Sequence, residues 1–329
     1  MSNPMRFKKE YIILLVIIVG LSLYLWQDKS GRMHYELPQL QSLDTKQLSR
    51  VEIERPEGTV SLNKKDGRWL VGEQAYAADK GKVDSLLQSI ADVDLSALVS
   101  ESKTYSRYGL EDEQRLTVTA YQNGTVVRSF SVGKASPNRS GTYIRLHEDP
   151  NVYLTGGNLN RQLDQSAQRL RDKTVLSFNE DEVTKLTVAK GSKRVTLKKQ
   201  PAKQGAEGQE KEEPDHSWAR SDNSTLVSQK EIDGLLAQLH NLQCTKYLAD
   251  DAVMESASPE YSITVHAAKE HQLLLYRISP KPSDSGEEDV AYQGNASDSA
   301  SPFRLSKYRV DRLTKLIDPL FEKDQGEES

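Results

Sequence analysis

The chain has 329 residues, a formal net charge of −4 and a single cysteine. Its slightly acidic balance offers no basic surface for nucleic acid, so nucleic-acid binding is not expected. A lone cysteine cannot close a disulfide within the chain, and the length leaves room for two domains of ordinary size.

The first element is an apolar run, FKKEYIILLVIIVGLSLYLW, from Phe7 to Trp26. A helix needs roughly 20 apolar residues to cross a bilayer, and basic residues mark the cytoplasmic side. Arg6, Lys8 and Lys9 therefore predict a cytoplasmic N-terminus at 1–10 and a single transmembrane anchor at 11–27. The expected location is the bacterial inner (cytoplasmic) membrane, with all later residues extracytoplasmic.

Two other interpretations of this run remain open. A cleaved signal peptide needs small residues before the cut, whereas the far end, Leu23–Trp26, is bulky. A buried core helix is disfavoured because the run is apolar around its whole circumference. Residues 28–47 are polar and irregular, which predicts a stalk.

An α+β unit is predicted at 48–178. Alternating apolar residues with turns such as Asp66-Gly67 and Asn123-Gly124 indicate antiparallel hairpins. Two apolar faces at helical spacing predict helices, one with Val83, Leu86, Leu87 and Ile90, the other with Leu159, Leu163, Ala167 and Leu170.

The same order of elements starts again at 179–321. Leu186 and Val188 match Val51 and Ile53, and Ile263 and Val265 are matched to Leu116 and Val118. Trp218 precedes the face of Ile232, Leu235, Leu236 and Leu239 by the spacing that separates Trp69 from Val83. A C-terminal helix is expected over Val310–Leu320. The predicted fold is therefore α+β: an N-terminal transmembrane helix, then two tandem repeats of a mostly antiparallel sheet with packed helices. Chance alternation is the competing explanation.

Two segments interrupt or end the second repeat. Residues 198–216 are rich in Gly, Pro, Gln, Glu and Lys, which predicts a mobile, solvated insertion. Residues 280–289 resemble it, and 322–329 form an acidic tail. A recognition role for the insertion is an alternative.

No motif for catalysis, cofactor binding or metal binding is found in the sequence. His266 and His271 flank a hairpin turn, which predicts surface positions. Cys244 ends a helical pattern and is predicted to be a buried structural thiol, with an intermolecular bridge as the alternative.

Five residues are singled out as a possible binding or structural signature: Trp69, Tyr108, Gly109, Leu110 and Trp218. The tryptophans fit a core position in a strand, and an aromatic binding platform is the alternative. Tyr108-Gly109-Leu110 fits a turn that needs the backbone freedom of glycine.

Three stretches resemble the bacterial family DUF4340, a domain of unknown function. They are Lys65–Trp69, Ser106–Leu110, and Leu170–Lys173 followed by Val175–Phe178. The second repeat departs from the pattern, because Met254–Tyr261 reads MESASPEY without Tyr-Gly-Leu. The resemblance implies an extracytoplasmic accessory component of ABC-type export systems of the gliding-motility kind, with no known catalytic residues.

The expected function is a membrane-anchored accessory, scaffold or binding module of an envelope complex, without catalysis of its own. Its expected partners are a transporter permease and ATPase or other envelope proteins. The alternatives are a periplasmic ligand- or glycan-binding module and an envelope hydrolase.

Overall fold

The computed structural model describes residues 9–28, 37–201, 216–254, 256–278 and 292–322. Its helices are α1 (Lys9–Asp28), α2 (Lys80–Ala91), α3 (Leu159–Leu163), α4 (Ala167–Leu170), α5 (Gln229–Leu239), α6 (Lys307–Ile317) and α7 (Pro319–Glu322). The predicted cytoplasmic N-terminus up to residue 8, the predicted loop 280–289 and the tail after residue 322 lie outside the described residues.

The strands fall into two groups along the chain. The first is β1 (Arg50–Arg55), β2 (Gly58–Lys65), β3 (Arg68–Val71), β4 (Tyr76–Ala77), β5 (Leu95–Ser100), β6 (Leu116–Gln122), β7 (Thr125–Ala135), β8 (Gly141–Leu146) and β9 (Val152–Gly156). The second is β10 (Thr174–Ser177), β11 (Lys185–Lys190), β12 (Lys193–Pro201), β13 (His216–Arg220), β14 (Leu226–Val227), β15 (Asn241–Gln243), β16 (Lys246–Tyr247), β17 (Tyr261–His266), β18 (Glu270–Arg277), β19 (Tyr292–Ala296) and β20 (Phe303–Leu305).

The predicted transmembrane helix is wrong. Across the described residues, no helix combines the length and the apolar character that crossing a membrane requires. The uncharged run 11–27 inside α1 is roughly 26 Å long at a rise of about 1.5 Å per residue. That length falls short of a bilayer core of about 30 Å.

The two large sheets have equivalent strand orders. One is β4-β3-β2-β1-β6-β7-β8-β9-β5, and the other is β14-β13-β12-β11-β17-β18-β19-β20-β16. A small sheet pairs β10 with β15. The chain is therefore mostly antiparallel sheet, with two large sheets that follow one plan.

Strand register corrects one detail of the predicted equivalence. Val51 pairs with Ala120 across β1 and β6, and Leu186 pairs with Val265 across β11 and β17. Val265 is thus the counterpart of Ala120. The sequence match placed it two residues earlier, at Val118, because alternation with period two looks the same at either register.

The described chain separates into two compact units. Unit 1 comprises Met1–Asp66 and Asp84–Gln165, and unit 2 comprises Gly67–Val83 and Ser166–Ser329. The hairpin β3–β4 groups with unit 2 because Ala78 bridges Arg171 and the Asp79 N–H donates to the Leu170 carbonyl at 2.8 Å.

Each sheet buries the alternate residues that the sequence pattern assigns to its inner face. In unit 1, Val51, Ile53, Val118 and Ile144 are fully buried. The core of unit 2 joins the sheet to the apolar faces of α5 and α6, including Ile232, Leu235, Leu239, Val310 and Leu313. Burying a side chain of this size stabilises the fold by about 1.5–3 kcal/mol.

Both predicted terminal helices of the repeats are broken. The first divides into α3 and α4, where Asp164 ends one helix and Ser166 caps the next by accepting from the Arg169 N–H. The second divides into α6 and α7 at Asp318, which precedes Pro319. Asp318 keeps helical backbone angles, but Pro319 has no N–H to donate, so the series of helical hydrogen bonds is interrupted there.

Part of the predicted stalk and both ends of the predicted insertion belong to the folded units, and residues 29–36 of the stalk lie outside the described residues. Residues 37–47 are part of unit 1, where the Arg128 guanidinium donates to the Gln41 carbonyl. Strands β12 and β13 pair from Leu197–Arg220 out to Pro201–His216, which takes in both ends of the predicted insertion. The rest of the insertion, 202–215, lies outside the described residues.

Candidate functional site

The tryptophans of the predicted signature differ in exposure. Trp218 is 1% exposed in β13, within the core of unit 2. Its Nε1–H is buried and has no hydrogen-bond partner among the described residues. Trp69 in β3 is half-buried. The buried ring of Trp218 packs the core and offers no platform to a ligand.

The Tyr108-Gly109-Leu110 segment closes against strand β7. Gly109 ends a 3-10 turn with φ 65° and ψ 34°, a left-handed conformation that favours glycine. Leu110 is fully buried, and the Tyr108 ring meets the Tyr143 ring edge-on at 5.0 Å between centroids. A Cβ added at Gly133 would lie 2.2 Å from the Tyr108 carbonyl oxygen. This close approach gives the signature a packing role.

A buried polar side chain occupies the same register position in each sheet. Arg128 lies opposite Ala120, and His271 lies opposite Val265. Arg128 is 8% exposed and donates to the Ile90 and Ala91 carbonyls, each at 2.8 Å, at the end of α2. Burial lowers the pKa of Arg128. The guanidinium thus satisfies carbonyls that a helix end leaves unpaired.

His271 does not lie at the surface, contrary to the sequence prediction. It is 3% exposed, and its Nδ1 lies 2.8 Å from Asp298 Oδ2. The Phe178 ring stands 5.4 Å from the imidazole between centroids. The tautomer follows from the partner: Nδ1 donates, because an ionised carboxylate only accepts.

Asp298 collects further donors. Lys269 Nζ lies 2.9 Å from Oδ1, and the Ser177 N–H donates to Oδ2 at 3.1 Å. Burial alone would raise the pKa of Asp298, but these hydrogen bonds, with that of His271, lower it below its usual value. The carboxylate is therefore held in its charged form.

Arg171 lies between two tyrosine rings. Its guanidinium carbon is 3.5 Å from the centroid of the Tyr76 ring and 3.4 Å from that of Tyr247. Arg171 is 7% exposed, and its Nη2 donates to Ser301 Oγ at 2.8 Å. Burial raises the pKa of Tyr247. Stacking on both faces fixes the plane of the guanidinium.

Asp250 links the same tyrosine and serine. The Tyr76 hydroxyl donates to Asp250 Oδ2, and the Ser301 hydroxyl donates to Oδ1, both at 2.5 Å. These two hydrogen bonds lower the pKa of Asp250, and the bond to Asp250 raises the pKa of Tyr76. Because both oxygens of Asp250 are engaged, the carboxylate orients Ser301, and Ser301 in turn orients Arg171.

A cavity of about 660 Å³ opens beside this cluster in unit 2. Tyr76, Arg171 and Tyr247 line one part of it, and Asn241 and Asp298 line another. Within the described ranges, no three His, Cys, Asp or Glu side chains come together as a metal-binding group. The cavity lining combines one buried cation, two aromatic rings and polar side chains.

The sequence contained a weak signal for Arg171 and none for its partners. Leu170-Arg171-Asp172-Lys173 belongs to one of the stretches that resemble the family pattern, although no role was assigned to it. Tyr76, Tyr247, Asp250 and Ser301 are far apart along the chain, so spacing alone could not associate them with Arg171.

The family comparison is consistent with the stretches singled out above. The model of DUF4340, described as a domain of unknown function, matches residues 69–261, more than half of the chain. The chain belongs to the DUF4340 family. No curated protein and no solved structure matches it.

The matched range divides the residues of this DUF4340 chain into two sets. Trp69, Tyr108, Arg171 and Tyr247 fall inside it. His271, Asp298 and Ser301 follow it in the chain. The family match therefore spans the position of Arg171, whereas the buried histidine and aspartate come after the match ends.

Proposed function

We propose that this DUF4340 chain is a non-catalytic binding and scaffold module, an accessory component of a bacterial envelope complex outside the cytoplasm. Its proposed partner is an ABC-type transport system, contacted through the permease or the ATPase-bearing assembly. The proposal extends what the family resemblance implies, and it assigns the contact to a surface of unit 1.

The observation that carries the proposal is the polar outer face of the first large sheet. Glu54, Thr117, Ser131 and Arg145 lie side by side across β1, β6, β7 and β8. Glu54 pairs with Thr117, Thr117 with Ser131, and Ser131 with Arg145. The row has a carboxylate at one end and a guanidinium at the other, which favours a partner of complementary charge pattern.

A second row runs parallel to the first. Glu52 pairs with Thr119, and the Thr119 and Ser129 hydroxyls lie 3.2 Å apart. The Tyr121 hydroxyl donates to Glu52 Oε2 at 2.6 Å. A concavity of about 630 Å³ lies over this face. Ordered hydroxyls and fixed charges suit a polar protein surface, because each can be satisfied without rearrangement.

The second large sheet repeats the hydroxyl row. Thr187 pairs with Thr196 and with Thr264, and Thr264 pairs with Gln272. The Thr187 and Thr196 hydroxyls lie 3.3 Å apart. Because the row of hydroxyl groups is present in both repeats, it is not a peculiarity of one strand. This repetition supports a role in binding.

The test is affinity recovery from detergent-solubilised envelopes of the native bacterium, followed by identification of the bound proteins. The wild-type chain should recover transporter subunits. Thr119→Arg adds bulk and charge to the polar face, so the amount of recovered transporter subunits should fall at least about ten-fold. Gln88→Arg, which adds the same charge on the exposed side of α2, should retain them.

Two results would contradict the proposal. Recovery of the chain alone, with no stable partner, removes the scaffold role. Equal recovery by both variants removes the polar face as the contact, even if a partner is found.

Small-ligand binding is the second candidate function, and the cavity beside Arg171 favours it. The cavity volume is in the range of ligand pockets in proteins, roughly 300–1,000 Å³. Most of its lining residues are polar, and hydrogen bonds fix the side chains of Tyr76, Arg171 and Asp298 in position.

A further inference from the structure

The guanidinium of Arg171 keeps hydrogen-bonding capacity that the described part of the protein does not use. Nη2 donates to Ser301 Oγ, but Nε and Nη1 have no acceptor among the described residues. A few side-chain atoms of the described residues are both buried and without a hydrogen-bond partner, and none of them belongs to Arg171. Solvent therefore reaches both Nε and Nη1. Because Arg171 lines the cavity, its open edge is available to a ligand there.

The positive charge of Arg171 also has no carboxylate within ion-pair distance in the described ranges. Asp250 accepts from Tyr76 and Ser301, and Asp298 is neutralised by Lys269 at 2.9 Å. Asp172 Oδ1 accepts from the Thr174 N–H at 2.9 Å. Asp250 is joined to Arg171 through Ser301, and its charge acts on the guanidinium from that distance. No carboxylate of the described residues pairs directly with Arg171, so an anion from outside can bind its unpartnered nitrogens.

The two tyrosine rings that enclose Arg171 restrict the direction from which a ligand can approach its guanidinium. Stacking on Tyr76 and Tyr247 blocks both faces of the guanidinium, so a ligand can approach only in its plane. A guanidinium presents parallel N–H bonds from Nη2 with either Nε or Nη1, so a bidentate contact with a carboxylate or phosphate uses the second N–H of Nη2, which Ser301 leaves available, together with one of the two unpartnered nitrogens. Asn241 lines the same cavity, and its side-chain amide can donate to a further oxygen.

We propose that the cavity of unit 2 is an oxyanion site, in which the open edge of Arg171 holds the carboxylate or phosphate group of a small ligand and Asn241 supplies a second donor. The inference does not depend on the scaffold role or on the polar face of unit 1. A free carboxylic acid and a phosphate-bearing molecule share this chemistry, and the experiment distinguishes them.

The test is titration calorimetry of the full chain at fixed ionic strength with succinate in one arm and inorganic phosphate in the other. At least one probe should bind with saturable heat. Arg171→Met should weaken that binding at least ten-fold, and Arg169→Met, on the exposed side of α4, should leave it within two-fold of the wild type. Binding of succinate alone assigns a carboxylate ligand, binding of phosphate alone assigns a phosphate group, and binding of both assigns a site that recognises the shared oxyanion.

A second pair of variants keeps the test decisive if Arg171→Met fails to fold. Ala300 is exposed and lines the cavity. Ala300→Glu adds a carboxylate that competes for Arg171 and should weaken binding at least ten-fold, whereas Ala300→Gln has the same size without the charge and should retain binding within two-fold. The proposal is overturned if neither probe binds the wild type, or if binding survives Ala300→Glu unchanged.

Discussion

His271 and Asp298 form a buried pair whose ring nitrogen and carboxylate oxygen lie 2.8 Å apart, at the register position that Arg128 occupies in unit 1. In unit 1 the polar side chain binds the carbonyl end of a helix. In unit 2 it binds a carboxylate that also accepts from Lys269. Two sheets of one plan thus use the same buried position for different contacts.

Replacing Asp298 should make the free energy of unfolding less dependent on pH in the acid range. Its folded pKa lies below the unfolded value of about 3.9, so its contribution is complete above that pH and is lost as pH falls through the folded pKa. Asp298→Asn should cost about 1–3 kcal/mol near pH 6, from hydrogen bonds to a charged group. The difference from wild type should shrink between about pH 5 and pH 2, as measured by urea unfolding.

Asp251→Asn, at an exposed position, is the matched control and should change stability by less than about 0.5 kcal/mol throughout. A difference between wild type and Asp298→Asn that stays constant with pH would contradict the role given to the carboxylate.

Gly133→Ala should destabilise unit 1 through its contact with the Tyr108 segment. The added Cβ would meet the Tyr108 carbonyl oxygen at 2.2 Å and Leu110 Cγ at 2.9 Å, and the backbone atom cannot move aside cheaply. The expected loss is about 1–3 kcal/mol in urea unfolding, as for other overpacked sites. Gly156→Ala meets nothing within 4 Å and should cost no more than about 0.5 kcal/mol. Equal effects of the two variants would show that the close approach is absent in solution.

Trp218→Phe should be tolerated better than the size change suggests. The substitution removes a buried Nε1–H that has no partner among the described residues, and such a donor costs about 1–3 kcal/mol. That gain offsets part of the lost packing, so the net loss should stay below about 1.5 kcal/mol, compared with about 3–5 kcal/mol for Trp218→Ala. Circular dichroism in urea measures both. Similar losses in the two variants would mean that the indole N–H is satisfied.

Cys244 should be unreactive in the folded chain. The thiol is 3% exposed, and burial raises its pKa, so little thiolate forms at neutral pH. Reaction with a disulfide reagent at pH 8 should be at least about 100-fold slower in buffer than in urea. A cysteine introduced by Ala300→Cys, at an exposed position, should react rapidly. Rapid reaction of the folded wild type would instead favour the alternative prediction, in which Cys244 forms an intermolecular disulfide.

Local sequence patterns predicted the hairpins and the apolar helical faces correctly. They failed for residues whose environment depends on groups far away in the sequence. Trp218 and the face of Ile232 and Leu235 were placed by spacing, because alternation and helical periodicity are local properties. His271 was assigned to the surface because it follows a turn, whereas its burial depends on Asp298, far along the chain. The apolar run of α1 was taken for a span because composition outweighed its marginal length.

The residues that line the cavity could not be predicted from the sequence for the same reason. Arg171 occurs in a recognisable stretch, yet its importance comes from Tyr76 on one side and Tyr247 on the other. Such a cluster becomes visible only when the topology brings β4, β16 and the segment before β10 together.

The strand order of the two sheets has a practical consequence for anyone who would study a piece of this chain. The family match begins at Trp69 in β3 and stops at Tyr261, the first residue of β17. A recombinant fragment trimmed to those limits would lose β1 and β2, so β6 would have no neighbour on one side. It would also lose β18, β19, β20 and all of β17 except its first residue from the other sheet. Such a fragment should aggregate, whereas one that starts ahead of Leu48 and keeps α6 and α7 retains every strand of both sheets.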